Sequence, residues 1–446
     1  MSYMNPTRGR FTALVAVLLL TLATFPSTYA LADAPSIDDL VRSINTIWIL
    51  LAAFLVFFMQ AGFGMVEAGF TRAKNAGNIL MKNFLDFCIA SVGFWVIGFT
   101  IMFGAGNALF GTNGILLQGL PGEMAGVPTP AFWFFQAVFC GAAATIVAGA
   151  VAERMRFPAY LAYSLVISAF VYPLVGHWIW GGGWLQELGF LDFAGSTVVH
   201  AVGGWAGLMG TVVLGPRIGK FNRDGSPNII MGHNIPLAAL GVFILWFGWF
   251  GFNPGSTLSG IASDLIAKVA VNTNMAAAIG ALTSMLVVWL LYGKPDLGMT
   301  MNGALGGLVA VTAPCAFVST GAAAVIGIIS GFVTVFGVKI LDNLGVDDPV
   351  GAVPVHGMNG IWGTISIGLL HESEGLLFGG GPGQLGIQIL GVFTVVAFVS
   401  VVMFLFFKVL DRAIGIRVNR EEEIRGLDIG EHGLESYSGF QIFITD

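Results

Sequence analysis

Two histidines each follow an aspartate by eight residues in otherwise apolar sequence. Asp192 leads through Phe-Ala-Gly-Ser-Thr-Val-Val to His200, and Asp348 leads through Pro-Val-Gly-Ala-Val-Pro-Val to His356. Glycines and a tryptophan come after each: Gly203, Gly204, Trp205 and Gly207 after the first, Gly357, Gly360, Trp362 and Gly363 after the second. A neutral imidazole donates from one ring nitrogen and accepts at the other. Two in contact can therefore accompany a small polar molecule or relay a proton. A single histidine in such a run is as readily a satisfied core residue; the repetition sets this pair apart. His177, His233, His371 and His432 sit at the ends of apolar runs or in the tail and carry no such echo.

Aspartate is a strong N-cap, and an α-helix rises about 1.5 Å per residue, which would set each imidazole roughly 12 Å beyond its helix start. Asp192 can also place negative charge beneath a cation. Nearby, His177-Trp-Ile-Trp-Gly-Gly-Gly183 brings Trp178 and Trp180, whose ring faces attract cations. Aromatic belts at membrane interfaces account for such residues equally well. Glu67 and Asp86 lie in or near the ends of apolar runs, where a carboxylate needs a partner; Arg72, Lys74 and Lys82 are the expected ones, in a structural role. Lys268 is expected to snorkel from a helix end. Cys88, Cys140 and Cys315 all fall in apolar stretches, no group has metal-ligand spacing, and no cofactor or nucleotide motif occurs. Chemistry at the two histidines is thus expected without metal or cofactor, and an enzyme is the poorer alternative for want of a nucleophile.

Placing these residues requires a membrane. The chain of 446 residues is 56% hydrophobic and only 10% charged, too little charge to cover a soluble surface of that size. Residues 1–32 read as a secretory signal peptide: Arg8 and Arg10, an apolar run from Ala13 to Ala23, and Ala30-Leu31-Ala32 for cleavage. Eleven apolar runs of spanning length follow, near 46–69, 79–107, 131–151, 157–177, 194–215, 233–252, 266–292, 297–313, 317–340, 352–370 and 384–409.

Loop charges support that count. Lys and Arg cluster after the first, third, fifth, seventh and eleventh runs, with Lys339 at the end of the ninth, while the intervening loops 108–130, 178–193, 253–265, 314–316 and 371–383 have none. The positive-inside rule then puts the mature N-terminus outside and the tail from 411 to 446 in the cytoplasm. His200 in the fifth run and His356 in the tenth lie on helices of opposite direction. Two residues about 12 Å in from opposite faces of a core about 30 Å thick differ in depth by only some 6 Å. The expected fold is all-α and membrane-integral: two inverted five-helix repeats, an added long eleventh helix, and a site at the repeat interface where glycines allow close approach. Residues 33–410 form the membrane domain; the tail is either a solvated extension or a regulatory docking element.

Together these features resemble the ammonium transporter/methylammonium permease/Rhesus superfamily, on its ammonium transporter side, over nearly the whole mature chain. The signatures are Asp192 to His200, Trp246-Phe-Gly-Trp-Phe-Gly-Phe-Asn-Pro-Gly-Ser256, Val355-His356-Gly357, Ala152-Glu-Arg-Met-Arg-Phe157, and Gly426-Leu427-Asp428 with His432-Gly433 in the tail. The resemblance implies an outer recruitment site of Phe139, Trp180 and Ser256 supported by Asp192, a gate of stacked Phe139 and Phe252, and His200 with His356 as a twin-histidine pair. Phe135, Gln136 and Thr312 would line the route.

It further implies ammonium or ammonia as substrate, with methylammonium as analogue. It implies a homotrimer with one pore per subunit in a bacterial inner membrane, a cytoplasmic PII-type signal protein as partner, and no nucleic acid. The tail departs from the family pattern: Leu434 follows Gly433 where an acidic residue is usual, and the chain ends on an apolar Phe440 to Ile444 stretch. Ammonium, unlike potassium, forms directional hydrogen bonds and can shed a proton, which avoids carrying a charge through an apolar constriction. Deprotonation near Phe139 with passage of ammonia along the histidines is therefore expected. An ammonium sensor of the same fold, or a Rhesus-like gas channel, is the alternative.

Overall fold

The computed structural model describes residues 35–438. The signal-peptide expectation for 1–32 and the apolar ending after 438 lie outside those residues. The chain divides into a unit of Met1–Arg42 and a unit of Ser43–Asp446. In the first, Ser36 and Asp39 exchange side-chain and backbone hydrogen bonds at the start of a helix.

Nine helical segments among the described residues are long and apolar enough to cross a membrane: Ile37–Phe70, Ala73–Phe103, Thr129–Ala150, Phe157–Glu187, Ser196–Leu214, Ile235–Thr257, Ser263–Tyr292, Thr320–Asn343 and Gly383–Ile414. Two shorter pieces fall where further spans were expected. Leu297–Thr312 is an apolar helix of 16 residues. The other joins a π-helical turn, Val353–Met358, to the helix Asn359–Leu370.

Burial sorts these segments. Thr129–Ala150 has nearly every side chain buried, whereas Gly383–Ile414 exposes Phe393, Val401, Leu405 and Val409 along its length. A helix apolar all round and wrapped by neighbours is central, and one with an exposed apolar stripe faces lipid. The central helix ends at Ala150 in a turn where Glu153 takes a left-handed backbone (φ 70°), held by Arg72 and Arg217.

The two Asp–His stretches do not begin as plain α-helices. Asp192 stands four residues before the first helical position, Ser196, with Gly195 at φ 115° as the hinge. Its carboxylate accepts four successive backbone N–H groups, those of Gly195 and Ser196 on Oδ1 and of Thr197 and Val198 on Oδ2, each at 2.9 Å. One side chain thus satisfies donors that a helix start otherwise leaves open. Asp348 does the same for Gly351, Ala352 and Val353 at 3.1, 3.0 and 2.7 Å, again behind a positive-φ glycine. This corrects the expected spacing: each aspartate lies upstream of the first helical residue, so each histidine stands nearer its helix start than the roughly 12 Å expected.

Both histidines sit within π turns, Ser196–Ala201 and Val353–Met358. Such turns are rare and concentrate at functional sites. The two segments cross through bare backbone. A Cβ on Gly204 would collide with the backbone nitrogen of Gly357, and one on Gly360 with the Ser196 carbonyl.

Candidate functional site

The histidines meet. His200 Nδ1 and His356 Nδ1 are 3.1 Å apart, the rings nearly parallel at 20° with centroids 5.2 Å apart, and both side chains are buried. One Nδ1 must be protonated and the other bare, so the pair shares a single proton across that contact. His200 Nε2 is buried and meets no hydrogen-bond partner among the described residues.

A file of rings leads away from the pair. Phe252 lies 5.4 Å from His200, and Phe139 stacks on Phe252 at 4.1 Å and 31°. Phe135 follows at 4.7 Å from Phe139, and Trp180 meets Phe139 edge-on at 6.5 Å. The Trp180 indole N–H donates to the Asp192 carbonyl oxygen at 2.7 Å, which ties the outermost ring to the loop that carries the helix-starting aspartate. Ser256 joins through Phe252, to whose carbonyl its hydroxyl donates at 2.8 Å; it remains half-buried, as does Trp180. Gln136 is buried beside this file, and its Oε1 has no protein partner. Burial pushes the Asp192 carboxyl up to about 6, against the opposing pull of its four N–H donors.

Thr312 is not a simple lining group. Its hydroxyl accepts the Trp249 indole N–H at 2.8 Å and donates to the Leu308 carbonyl at 2.7 Å. Trp249 in turn lies flat on His200, at 5.2 Å and 17°. Sequence reasoning assigned Trp249 no role, yet Trp249, Phe252 and Ser256 stand at i, i+3 and i+7, the spacing of one helical face.

Residues 47–437 match the Ammonium Transporter Family. The chain belongs to that family. Ammonium transporter Amt2 of Archaeoglobus fulgidus is 47% identical over 460 residues, covering 97% of this chain and 96% of its own. An ammonium transporter of Bacillus subtilis is 37% identical over 409 residues, covering 88% and 98%. Among solved structures, a sensor Amt protein superposes with a TM-score of 0.85 at 41% identity, covering 88% of this chain and 99% of that one. Candida albicans Mep2 does so with a TM-score of 0.79 at 30% identity, covering 85% and 87%.

On the far side of His356 from the phenylalanines, this transporter has a narrow cavity of about 20 Å³ lined by Phe63, Glu67, Asn302 and the Asp348 loop. The expected ion pairs of Glu67 and Asp86 do not form. Arg72 turns instead to Glu153 at 2.5 Å, and Lys82 donates to the Met155 carbonyl at 2.7 Å with Glu431 at 3.8 Å. Glu67 accepts from Asn83 Nδ2 at 2.8 Å and from the Gly149 backbone N–H, and Asp86 accepts from the Tyr160 hydroxyl. The cation that those carboxylates lack is consumed by a buried cluster. Arg217 bridges Glu153 at 3.0 Å and Asp347 at 2.8 Å, and Arg154 donates to the Asp347 carbonyl at 2.7 Å. Burial alone would raise both of those carboxyls, but the guanidiniums of Arg217 and Arg72 hold Glu153 below the usual range, and Arg217 with Arg154 does so for Asp347. Lys268 pairs with Glu372 at 2.6 Å.

The tail is docked. Asp428 accepts from the N–H groups of Gly77 and Asn78 at 2.9 and 2.7 Å, where the helix beginning at Ala76 exposes its first donors. Lys74 donates to the carbonyls of Glu423 and Ile424, and Glu431 accepts from the Phe157 N–H at 2.6 Å. His432, given no role from sequence, packs edge-on against Phe157 at 5.0 Å.

Proposed function

We propose that this transporter recruits ammonium at its outer face and passes ammonia along the twin histidines, the proton shed at the phenylalanine gate going to the unprotonated nitrogen of the hydrogen-bonded histidine pair, which relays it separately. The contact of His200 with His356 at the end of the file Trp180, Phe139, Phe252 carries this reading. Trp180 and Phe139 offer ring faces worth roughly 0.5–2 kcal/mol each to a cation, Ser256 offers a hydroxyl oxygen, and the buried charge of Asp192 lies behind them. Phe139 stacked on Phe252 then closes the way to anything hydrated. An ion stripped of water there costs several kcal/mol or more; ammonia does not, and the one unprotonated Nε2 that the His–His contact leaves can accept an N–H group.

The same reading takes eleven spans as two inverted five-helix repeats plus the Gly383–Ile414 helix, counting Leu297–Thr312 and Val353–Leu370 as spans. The loop charges put Trp180 outside and the tail inside a bacterial inner membrane. Assembly is as a homotrimer with one pore per subunit. A PII-type signal protein meets the cytoplasmic face, where the docked tail offers a contact to displace.

The decisive experiment compares ammonium and potassium currents on solid-supported membranes for wild type and a His200→Ala, His356→Ala double variant. Ammonium-specific current in the wild type and loss of discrimination in the variant are the expected results; unchanged selectivity in the variant would move the filter elsewhere. The alternative is a sensor of the same fold, favoured by the 41% identical sensor Amt protein and by the anchored tail. Methylammonium uptake by cells lacking their own transporters separates the two, since a sensor conducts little.

A further inference from the structure

Glu67 is a buried carboxylate, 3% exposed, that faces a cavity without a cation to balance it. Every basic group near it in sequence is engaged elsewhere: Arg72 with Glu153, Lys74 with the Glu423 and Ile424 carbonyls, Lys82 with the Met155 carbonyl. Its protein donors among the described residues are neutral, Asn83 Nδ2 at 2.8 Å and the Gly149 backbone N–H. A buried charge is normally paired, and one left open invites a positive guest.

The cavity is shared with His356, the inner of the two histidines in the proposed file. Its volume of about 20 Å³ admits one molecule the size of water, and ammonium is of that size. Asn302 also lines it and spends its Nδ2 on the Val350 carbonyl at 3.0 Å, which leaves the amide oxygen as a further acceptor. Gly149 packs beside Glu67, and a Cβ there would collide with Val350 Cγ2 at 2.5 Å.

We propose that Glu67 and Asn302 form an inner ammonium site at the exit past His356, in which the carboxylate supplies the countercharge and both oxygens accept N–H groups. The proposal rests on the permeation route given above. It makes the path two-ended: ring faces and Asp192 at the outer mouth, a carboxylate and an amide at the inner one.

The test reads the two ends separately. Proteoliposomes of fixed orientation receive ammonium from the outer or the inner side, and the half-saturating concentration of the transport current is measured for each. Glu67→Gln keeps size and an oxygen for Asn83 but removes the charge. It is expected to raise the inner half-saturation at least tenfold and the outer one less than twofold, with Glu67→Asp recovering part of the loss. Asn302→Leu, which leaves the carboxylate in place, is expected to raise the inner value several-fold and serves alone should Glu67→Gln not yield folded protein. Equal changes on both sides, or no change on the inner side in folded variants, would overturn the site. Absence of ammonium current in the wild type would instead overturn the route on which it rests.

Discussion

Replacing Asp192 by Asn separates two things this side chain does. The carboxylate closes four backbone N–H groups and places a buried negative charge behind Trp180. Burial raises its pKa from 3.8 to about 6. At 1.36 kcal/mol per unit, keeping it ionised therefore costs the folded chain about 3 kcal/mol at neutral pH. An amide escapes that cost but turns an NH2 toward two of the four N–H groups, forfeiting roughly 3–6 kcal/mol of charge-assisted bonding. The difference leaves a net loss of no more than about 3 kcal/mol, a modest drop in melting temperature.

The effect on a bound cation has no such offset. At an effective dielectric constant of about 20 and a separation on the order of 8–10 Å, one charge contributes about 2 kcal/mol, or roughly twenty- to thirtyfold in half-saturating ammonium. Asp192→Asn is thus expected to remain folded by scanning fluorimetry while its ammonium current saturates at much higher concentration. The wild type should show the same weakening as the outer pH falls through about 6. Because the folded pKa is raised, the charge is present above that value and absent below it, while the folding cost of ionisation disappears in the same descent. The variant should show no such pH step. A variant that melts far earlier, yet saturates at the wild-type concentration, would make Asp192 a scaffold residue and refute the electrostatic role.

Trp249→Leu removes the ring lying on His200 and the bond to Thr312. It is expected to cost about 2–4 kcal/mol of stability and to lower the maximal current with little change in half-saturation; a shift in half-saturation alone would place Trp249 in recruitment instead. Arg217→Met strands the buried carboxylates of Glu153 and Asp347, and should destabilise by about 3–5 kcal/mol in thermal melts. Both carboxyls are held below their ordinary values of 4.5 and 3.8. Their contribution is accordingly complete at pH 7 and fades on acidification below about pH 4.5. The wild type should lose stability over that descent, and a variant with the same acid slope would show that the cluster is not its source.

The sequence by itself determined the membrane class, the places where helices run, and the identity of the two histidines, because hydropathy and the repeated Asp–His spacing are local properties of the chain. The stack of rings was legible for the same reason: Phe135 and Phe139 are one turn apart, and Phe252 and Ser256 stand in a signature run. Which groups touch was decided only by tertiary structure. His200 and His356 are 156 residues apart, and their contact depends on two helical segments crossing at Gly204 and Gly357, a close approach that no periodicity encodes. Arg72 passes over the nearby Glu67 for Glu153, 81 residues on, because a turn with a left-handed residue delivers that carboxylate, together with Arg217, to a shared buried cluster. Burial removes water as the competing partner, so long-range geometry and not proximity in sequence decides which charges pair and leaves Glu67 open to the cavity.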